Sequence, residues 1–205
     1  MNAKPRGFTI VELLIVIVVI GILAAITIVV YNGIQQRAHN TQTITAAKQW
    51  KQLISLYIVQ NGGYAALRSG GHYCLGSGYP TDWDINSDED CLKSNSIKHT
   101  SAAVNALLAG IGSPPALTPI ISSGGVSYMG VSLRQSDILD PTGQNEANYP
   151  TLWYYLDGTN QDCVLRPLIK VISGGITIDP TATSTTNDAT TTVCRVALPD
   201  PVVGS

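Results

Sequence analysis

Charge is scarce in this sequence. Asp, Glu, Lys and Arg make up 13% of its 205 residues, about half of what an average globular protein carries. The 12 basic and 14 acidic residues leave a formal charge of -2, and Lys4 and Arg6 already account for two of the basic ones. The remainder is acid-rich, so no basic surface for nucleic acid follows. Catalytic signatures are missing too: there is no G-x-S-x-G, no H-E-x-x-H and no Gly-rich phosphate loop between a strand and a helix. His39, His72 and His99 are scattered, and each reads as a surface residue rather than a catalyst. The four cysteines contain no C-x-x-C pair, which argues against a four-cysteine zinc site. No Asn-x-Ser/Thr site occurs, and no proline lies between Pro5 and Pro80. Apolar residues, by contrast, reach 44%, which excludes disorder throughout. Gly, Ser, Thr, Pro and Asn separate short apolar runs, and all four cysteines lie beyond position 70, as in a loop-rich domain of an oxidising compartment.

The apolar content is concentrated at the start. Between Phe8 and Tyr31, 20 of 24 residues are apolar. As a helix rising about 1.5 Å per residue, the run reaches roughly 36 Å, enough for a hydrocarbon layer of roughly 30 Å. Lys4 and Arg6 ahead of it hold the amino end in the cytoplasm and send the rest outward. The run is too long for a secretory signal peptide. Glu12 is the anomaly, an ionisable group inside the apolar run, and such an acid needs a partner. The segment offers none, since no Lys or Arg occurs between Arg6 and Arg37. That leaves the chain's own leader, lipid headgroups or a positive group on another copy.

Lys4-Pro5-Arg6-Gly7-Phe8-Thr9-Ile10-Val11-Glu12-Leu13-Leu14 resembles the class III leader and cleavage site of type IV pilins and of the pseudopilins of type II secretion. The resemblance implies cleavage after Gly7 by a membrane prepilin peptidase, which also methylates the new amino terminus at Phe8. It further implies that Glu12 of an incoming subunit pairs with the Phe8 amine of a neighbour already in the filament. A new α-amine has a pKa near 8 and is cationic at neutral pH, so the pairing offsets the burial of the carboxylate. The partners it implies are other copies of the chain, the inner-membrane assembly platform, minor pilins, and the membrane before assembly.

Beyond Tyr31 the pattern becomes amphipathic. Ile34, Ala38, Ile44, Ala47, Leu53, Ile54, Tyr57 and Ile58 recur at helical spacing until Asn61-Gly62-Gly63. The spacing predicts one helix from about Phe8 to Gln60, with bending or local melting at Gly21 and Asn32-Gly33. Many Gram-negative pilins carry a helix-breaking Pro in this region, which is absent here. The head should contain a short helix at 101–109, capped by Thr100 or Ser101, and strands at 126–134, 151–156, 163–172 and 192–198. Turn residues between the strands make an antiparallel sheet the natural product. The fold class is therefore α+β, a long N-terminal helix packed against an antiparallel sheet, in the lollipop shape that the pilin resemblance implies.

Four cysteines allow three pairings. Cys74 with Cys91 and Cys163 with Cys194 are preferred, because each pair closes a local loop and the second would tie the last strand to its neighbour. Asp82, Asp84, Asn86, Asp88, Glu89 and Asp90 read as a solvated acidic loop. Calcium held by Asp82, Asp84, Asn86 and Asp88 is the alternative, although Ser87 and Lys93 break the EF-hand pattern. No other cofactor is expected. Residues 177–192, dense in Thr, Ser, Ala and Asp, read as an exposed loop between the last two strands.

These readings divide the chain into a removable leader at 1–7, a membrane and filament-core helix at 8–31, its amphipathic continuation at 32–61 and an extracytoplasmic head at 62–205. They describe a structural protein rather than an enzyme. The resemblance implies a type IV pilus subunit serving adhesion, twitching motility or DNA uptake. A secretion pseudopilin and an uncleaved membrane-anchored binding domain are the alternatives.

Overall fold

The computed structural model describes residues 7–63, 67, 72–82, 91–93, 102–139, 145–166, 168–172, 175–179, 186–188 and 190–198. The chain divides into two compact units, Met1–Ala38 and His39–Ser205, and the division falls inside helix α1, Ile10–Asn61.

In the first unit, every large apolar side chain described from Phe8 to Tyr31 is exposed. A helix that is apolar on all sides finds no water-facing edge and suits lipid or a bundle of like helices. α1 is long and apolar enough to cross a membrane. The Thr27 hydroxyl donates back to the carbonyls of Leu23 and Ala24, at 3.0 and 2.9 Å, so it leaves no hydroxyl proton unmet within the apolar surface. Contrary to the expected melting, α1 continues through Gly21 and Asn32-Gly33. A glycine costs only about 1 kcal/mol relative to alanine in a helix, less than the loss of backbone hydrogen bonds that a break would bring.

In the second unit the remainder of α1 lies against a seven-stranded sheet. The strands are β1 (His72–Leu75), β2 (Leu92–Lys93), β3 (Ile121–Ser123), β4 (Val126–Tyr128), β5 (Val131–Leu139), β6 (Asn145–Asp157), β7 (Leu168–Ile172), β8 (Gly175–Asp179), β9 (Thr186–Asp188) and β10 (Thr191–Ala197), with helix α2 (Ala102–Ala109) after β2. The large sheet runs β1-β5-β6-β10-β7-β8, and β9 pairs with β10. It is antiparallel apart from one parallel pair, Leu139 with Thr177, between β5 and β8. β2, β4 and β3 form a second, small antiparallel sheet.

Alternation along β6 shows how the layers are made. Leu152, Tyr154 and Leu156 join Ala47, Trp50, Ile54, Tyr57 and Ile58 of α1 in the main core, together with Val104 and Leu108 of α2. Trp153 and Tyr155 point the other way and cluster with Val193 of β10 and Tyr128 of the small sheet. Each fully buried Leu or Ile in the main core contributes about 1.5–3 kcal/mol. Polar residues also sit at the helix–sheet contact. Asn40, nearly buried, accepts a hydrogen bond from the Asp157 amide at 2.8 Å and donates to the Asp157 carbonyl at 3.0 Å, docking α1 onto the end of β6.

Several boundaries differ from the sequence reading. The strand expected over 126–134 is two strands, β4 and β5, because Gly130 has φ 74° and a Cβ there would lie 2.5 Å from the Tyr79 hydroxyl. Of the strand expected at 163–172, residues 163–166 are irregular, and β7 begins at Leu168. The exposed loop expected at 177–192 instead contains part of β8, all of β9 and the start of β10. Thr191 and Thr192 are fully buried, and the Thr192 hydroxyl bridges the Gly158 carbonyl at 2.7 Å and the Gln161 amide at 2.9 Å. Ile34 and Ala38 lie outside the buried helix face. The expected caps of α2, Thr100 and Ser101, lie outside the described residues.

Candidate functional site

The chemistry of the first unit gathers where α1 begins. Gly7, Phe8 and Thr9 precede the helix and are non-helical, and Phe8 is 80% exposed. The Gly7–Phe8 peptide thus lies outside the helix, on exposed chain. Lys4, Pro5 and Arg6 lie outside the described residues.

Thr9 is the N-cap. Its carbonyl accepts the first helical bond, from the Leu13 amide at 3.3 Å. Its hydroxyl accepts from the Glu12 amide at 3.2 Å, while its own amide and hydroxyl both donate to Glu12 Oε2, each at 2.8 Å. This reciprocal arrangement is a capping box, which satisfies amides that the first helical turn leaves open. It also brings the carboxylate to the positive end of the helix. Glu12 Oε1 has no hydrogen-bond partner among the described residues. The sequence reading singled out Gly7, Phe8 and Glu12 and missed Thr9, although Thr9-Ile10-Val11-Glu12 spells the T-x-x-E signature.

The cysteines are joined as Cys74–Cys91 and Cys163–Cys194, with Cα separations of 5.6 and 5.5 Å. The first links β1 to the residue before β2 and so fastens the small sheet to the large one. The second differs in its anchor from the expectation. Cys163 lies in the irregular segment between β6 and β7, so the bond ties β10 to that connection rather than to a neighbouring strand.

Of the acidic loop, Asp82 is exposed, while Asp84, Asn86, Asp88, Glu89 and Asp90 lie outside the described residues. Among the described residues, no group of three or more His, Cys, Asp or Glu side chains is placed to hold a metal ion. The histidines are less superficial than expected. His39 is half-buried, and so is His72, whose Nε2 lies 2.8 Å from the Ser132 hydroxyl and whose ring stands edge-on to Trp153 at 5.7 Å. His99 lies outside the described residues.

The sequence reading also missed a cation–aromatic cluster on the outer face of the large sheet. The guanidiniums of Arg134 and Arg195 lie 4.5 and 4.2 Å from the Trp153 ring centroid, and Tyr128 stacks on Tyr155 at 4.1 Å. Burial pushes the Tyr154 and Tyr155 phenols well above their ordinary values. Burial, assisted by the neighbouring Arg134 charge, holds Arg195 below its usual range. Lys51, half-buried and lowered by desolvation, donates to the Arg166 carbonyl. The run Thr151-Leu152-Trp153-Tyr154-Tyr155-Leu156 carried the signal, since large apolar side chains on both parities mean a strand covered on both faces. Trp153, Tyr155 and Tyr128 thus pack the large sheet against the small one, while Tyr154 belongs to the core beneath α1.

Comparison with known proteins bears on the helix end. The family model for the prokaryotic N-terminal methylation motif matches residues 2–28. The chain is 37% identical over 62 residues to the type IV major pilin protein PilE of Neisseria gonorrhoeae, covering 30% of this chain and 37% of that protein. The same identity over 62 residues relates it to a fimbrial protein of Neisseria meningitidis serogroup B, covering 30% and 36%. The chain thus spans little more than a third of the curated relatives that it matches. No solved structure matches it significantly. Over 62 residues the chain is thus similar to type IV major pilins, and residues 2–28 match the prokaryotic N-terminal methylation motif.

Proposed function

We propose that this chain is the precursor of a type IV pilus subunit. The observation that carries this reading is the methylation motif at 2–28, set at the start of a helix whose apolar surface is exposed on all sides. A prepilin peptidase cuts between Gly7 and Phe8 and methylates the Phe8 amine. The chain is then held in the cytoplasmic membrane by Phe8–Tyr31, with residues 62–205 outside. An inner-membrane platform moves it into a filament, where it meets other copies and minor pilins. The driving force is apolar packing between helices. The Phe8 amine of one subunit and the Glu12 carboxylate of the next set the axial register, because a charge moved out of water is tolerated only when paired. In the head, two disulfides shorten the chain that a pulling force can extend, which suits an extracellular filament used for adhesion, motility or DNA uptake. The test is Glu12→Ala. The variant precursor should be cut after Gly7 at the normal rate and give no filaments. Filaments of normal yield and length would sink the register mechanism.

A further inference from the structure

The two carboxylate oxygens of Glu12 are not equivalent. Oε2 accepts from both the amide and the hydroxyl of Thr9, at 2.8 Å each, while Oε1 has no partner among the described residues. We propose that Thr9 is a positioning residue for filament assembly: it holds Glu12 by Oε2 and presents Oε1 to the amine of a neighbouring subunit. This deepens the preceding reading and rests on it.

The hydrogen-bond chemistry supports the division. A hydroxyl has one proton and two lone pairs, and Thr9 uses the proton on Oε2 and a lone pair on the Glu12 amide at 3.2 Å. The box therefore fixes both ends of the Glu12 side chain, leaving it little rotamer freedom to lose on pairing. Bonds of 2.8 Å to an ionised acceptor are of the strong, charge-assisted kind. They help keep the carboxylate charged in an apolar setting, where an unpaired one would take up a proton. Cleavage after Gly7 leaves the Phe8–Thr9 peptide intact, so the Thr9 amide remains a donor in the mature chain. A carboxylate oxygen accepts more than one bond, and Oε1 can receive an ammonium without releasing Thr9. Assembly then adds a partner to the box instead of exchanging one.

Two variants separate this role from helix capping. Glycine is nearly as good an N-cap as threonine, but has no hydroxyl. Serine keeps the hydroxyl. Thr9→Gly should be cut and methylated yet lower the yield of sheared filaments by about tenfold or more, as expected for one lost bond to a charged group. Thr9→Ser should restore the yield. Wild-type yield from Thr9→Gly, or failure of Thr9→Ser to rescue it, would overturn the proposal. A second measurement does not depend on processing. In the detergent-solubilised full chain, the NMR shift of the Thr9 amide proton should move upfield in Glu12→Ala, whereas an unchanged shift would overturn the proposal. Failure of the underlying reading looks different, because the wild-type chain itself would then lack methylated Phe8 or yield no filaments.

Discussion

The two disulfides should differ in their worth, and the difference can be worked from the fold. Cys163–Cys194 closes 31 residues and Cys74–Cys91 closes 17. In the chain-entropy treatment, these loops restrict the unfolded state by about 3.7 and about 3.1 kcal/mol at room temperature. Packing widens the gap. Cys163 and Cys194 are fully buried in the main core with Tyr154, Leu165 and Val196, whereas Cys74 and Cys91 sit in a small satellite cluster with Tyr79 and Met129. Replacing Cys163 and Cys194 together by alanine should therefore lower the melting temperature by about 7–15 °C, using the usual scaling for a domain of this size. Replacing Cys74 and Cys91 should cost less globally, but should deprotect the β2-β4-β3 sheet in hydrogen exchange, since that bond fastens it to β1. The assay is guanidinium and thermal unfolding of the detergent-solubilised chain, with exchange read by mass spectrometry. A loss below about 1 kcal/mol for the Cys163 and Cys194 pair, or a larger loss for the other pair, would refute this assignment of the core.

Asn40→Ala removes both hydrogen bonds to the Asp157 backbone and should destabilise the second unit by about 1–3 kcal/mol in denaturant unfolding. Asn40→Asp keeps the acceptor but sets a carboxylate oxygen against the Asp157 carbonyl, so it should cost at least as much as alanine, and wild-type stability in either variant would contradict the paired geometry. Above about pH 10 the head should lose stability, because unfolded tyrosines ionise near that value while burial holds the Tyr154 and Tyr155 phenols neutral to higher pH. Their contribution is complete below the unfolded value and is lost as pH rises towards the folded ones. Lys51, pushed down by burial, gains stability only up to its unfolded value near pH 10.4, so it does not offset the loss beyond. The phenolate absorbance of Tyr154 and Tyr155, read as the difference from their Phe variants, should rise in step with unfolding, and its appearance in the intact fold would contradict the burial argument.

Where period and punctuation were strong, the sequence was legible. The helix expected from about Phe8 to Gln60 is α1, Ile10–Asn61, because its apolar run is long and Asn61-Gly62-Gly63 ends it. On its inner face, Ala47, Ile54, Tyr57 and Ile58 were readable from helical spacing. Asn40 was not, since a polar residue on a buried face shows its reason only once the partner strand is in place. Short strands escaped for a related cause. β2 has two residues and β3 has three, too few to display alternation. β8 and β9 were hidden by the Thr- and Ser-rich composition of 177–192, where pairing across strands outweighs local propensity. At the helix end, Gly7, Phe8 and Glu12 stood out by charge and spacing. Thr9 did not, because an uncharged hydroxyl in an apolar run stands out neither by charge nor by period, and only the first helical turn brings it against Glu12.

The central claim is that this chain is cut after Gly7 and leaves the membrane as a filament subunit. Mass spectrometry of the N-terminal peptide, from sheared surface material and from membranes of the same cells, tests it directly. The account predicts a peptide beginning at N-methylated Phe8 in both fractions, abundant in the sheared one. Methylated Phe8 confined to membranes would contradict the surface filament, and an intact Met1 to Gly7 in both would contradict processing itself.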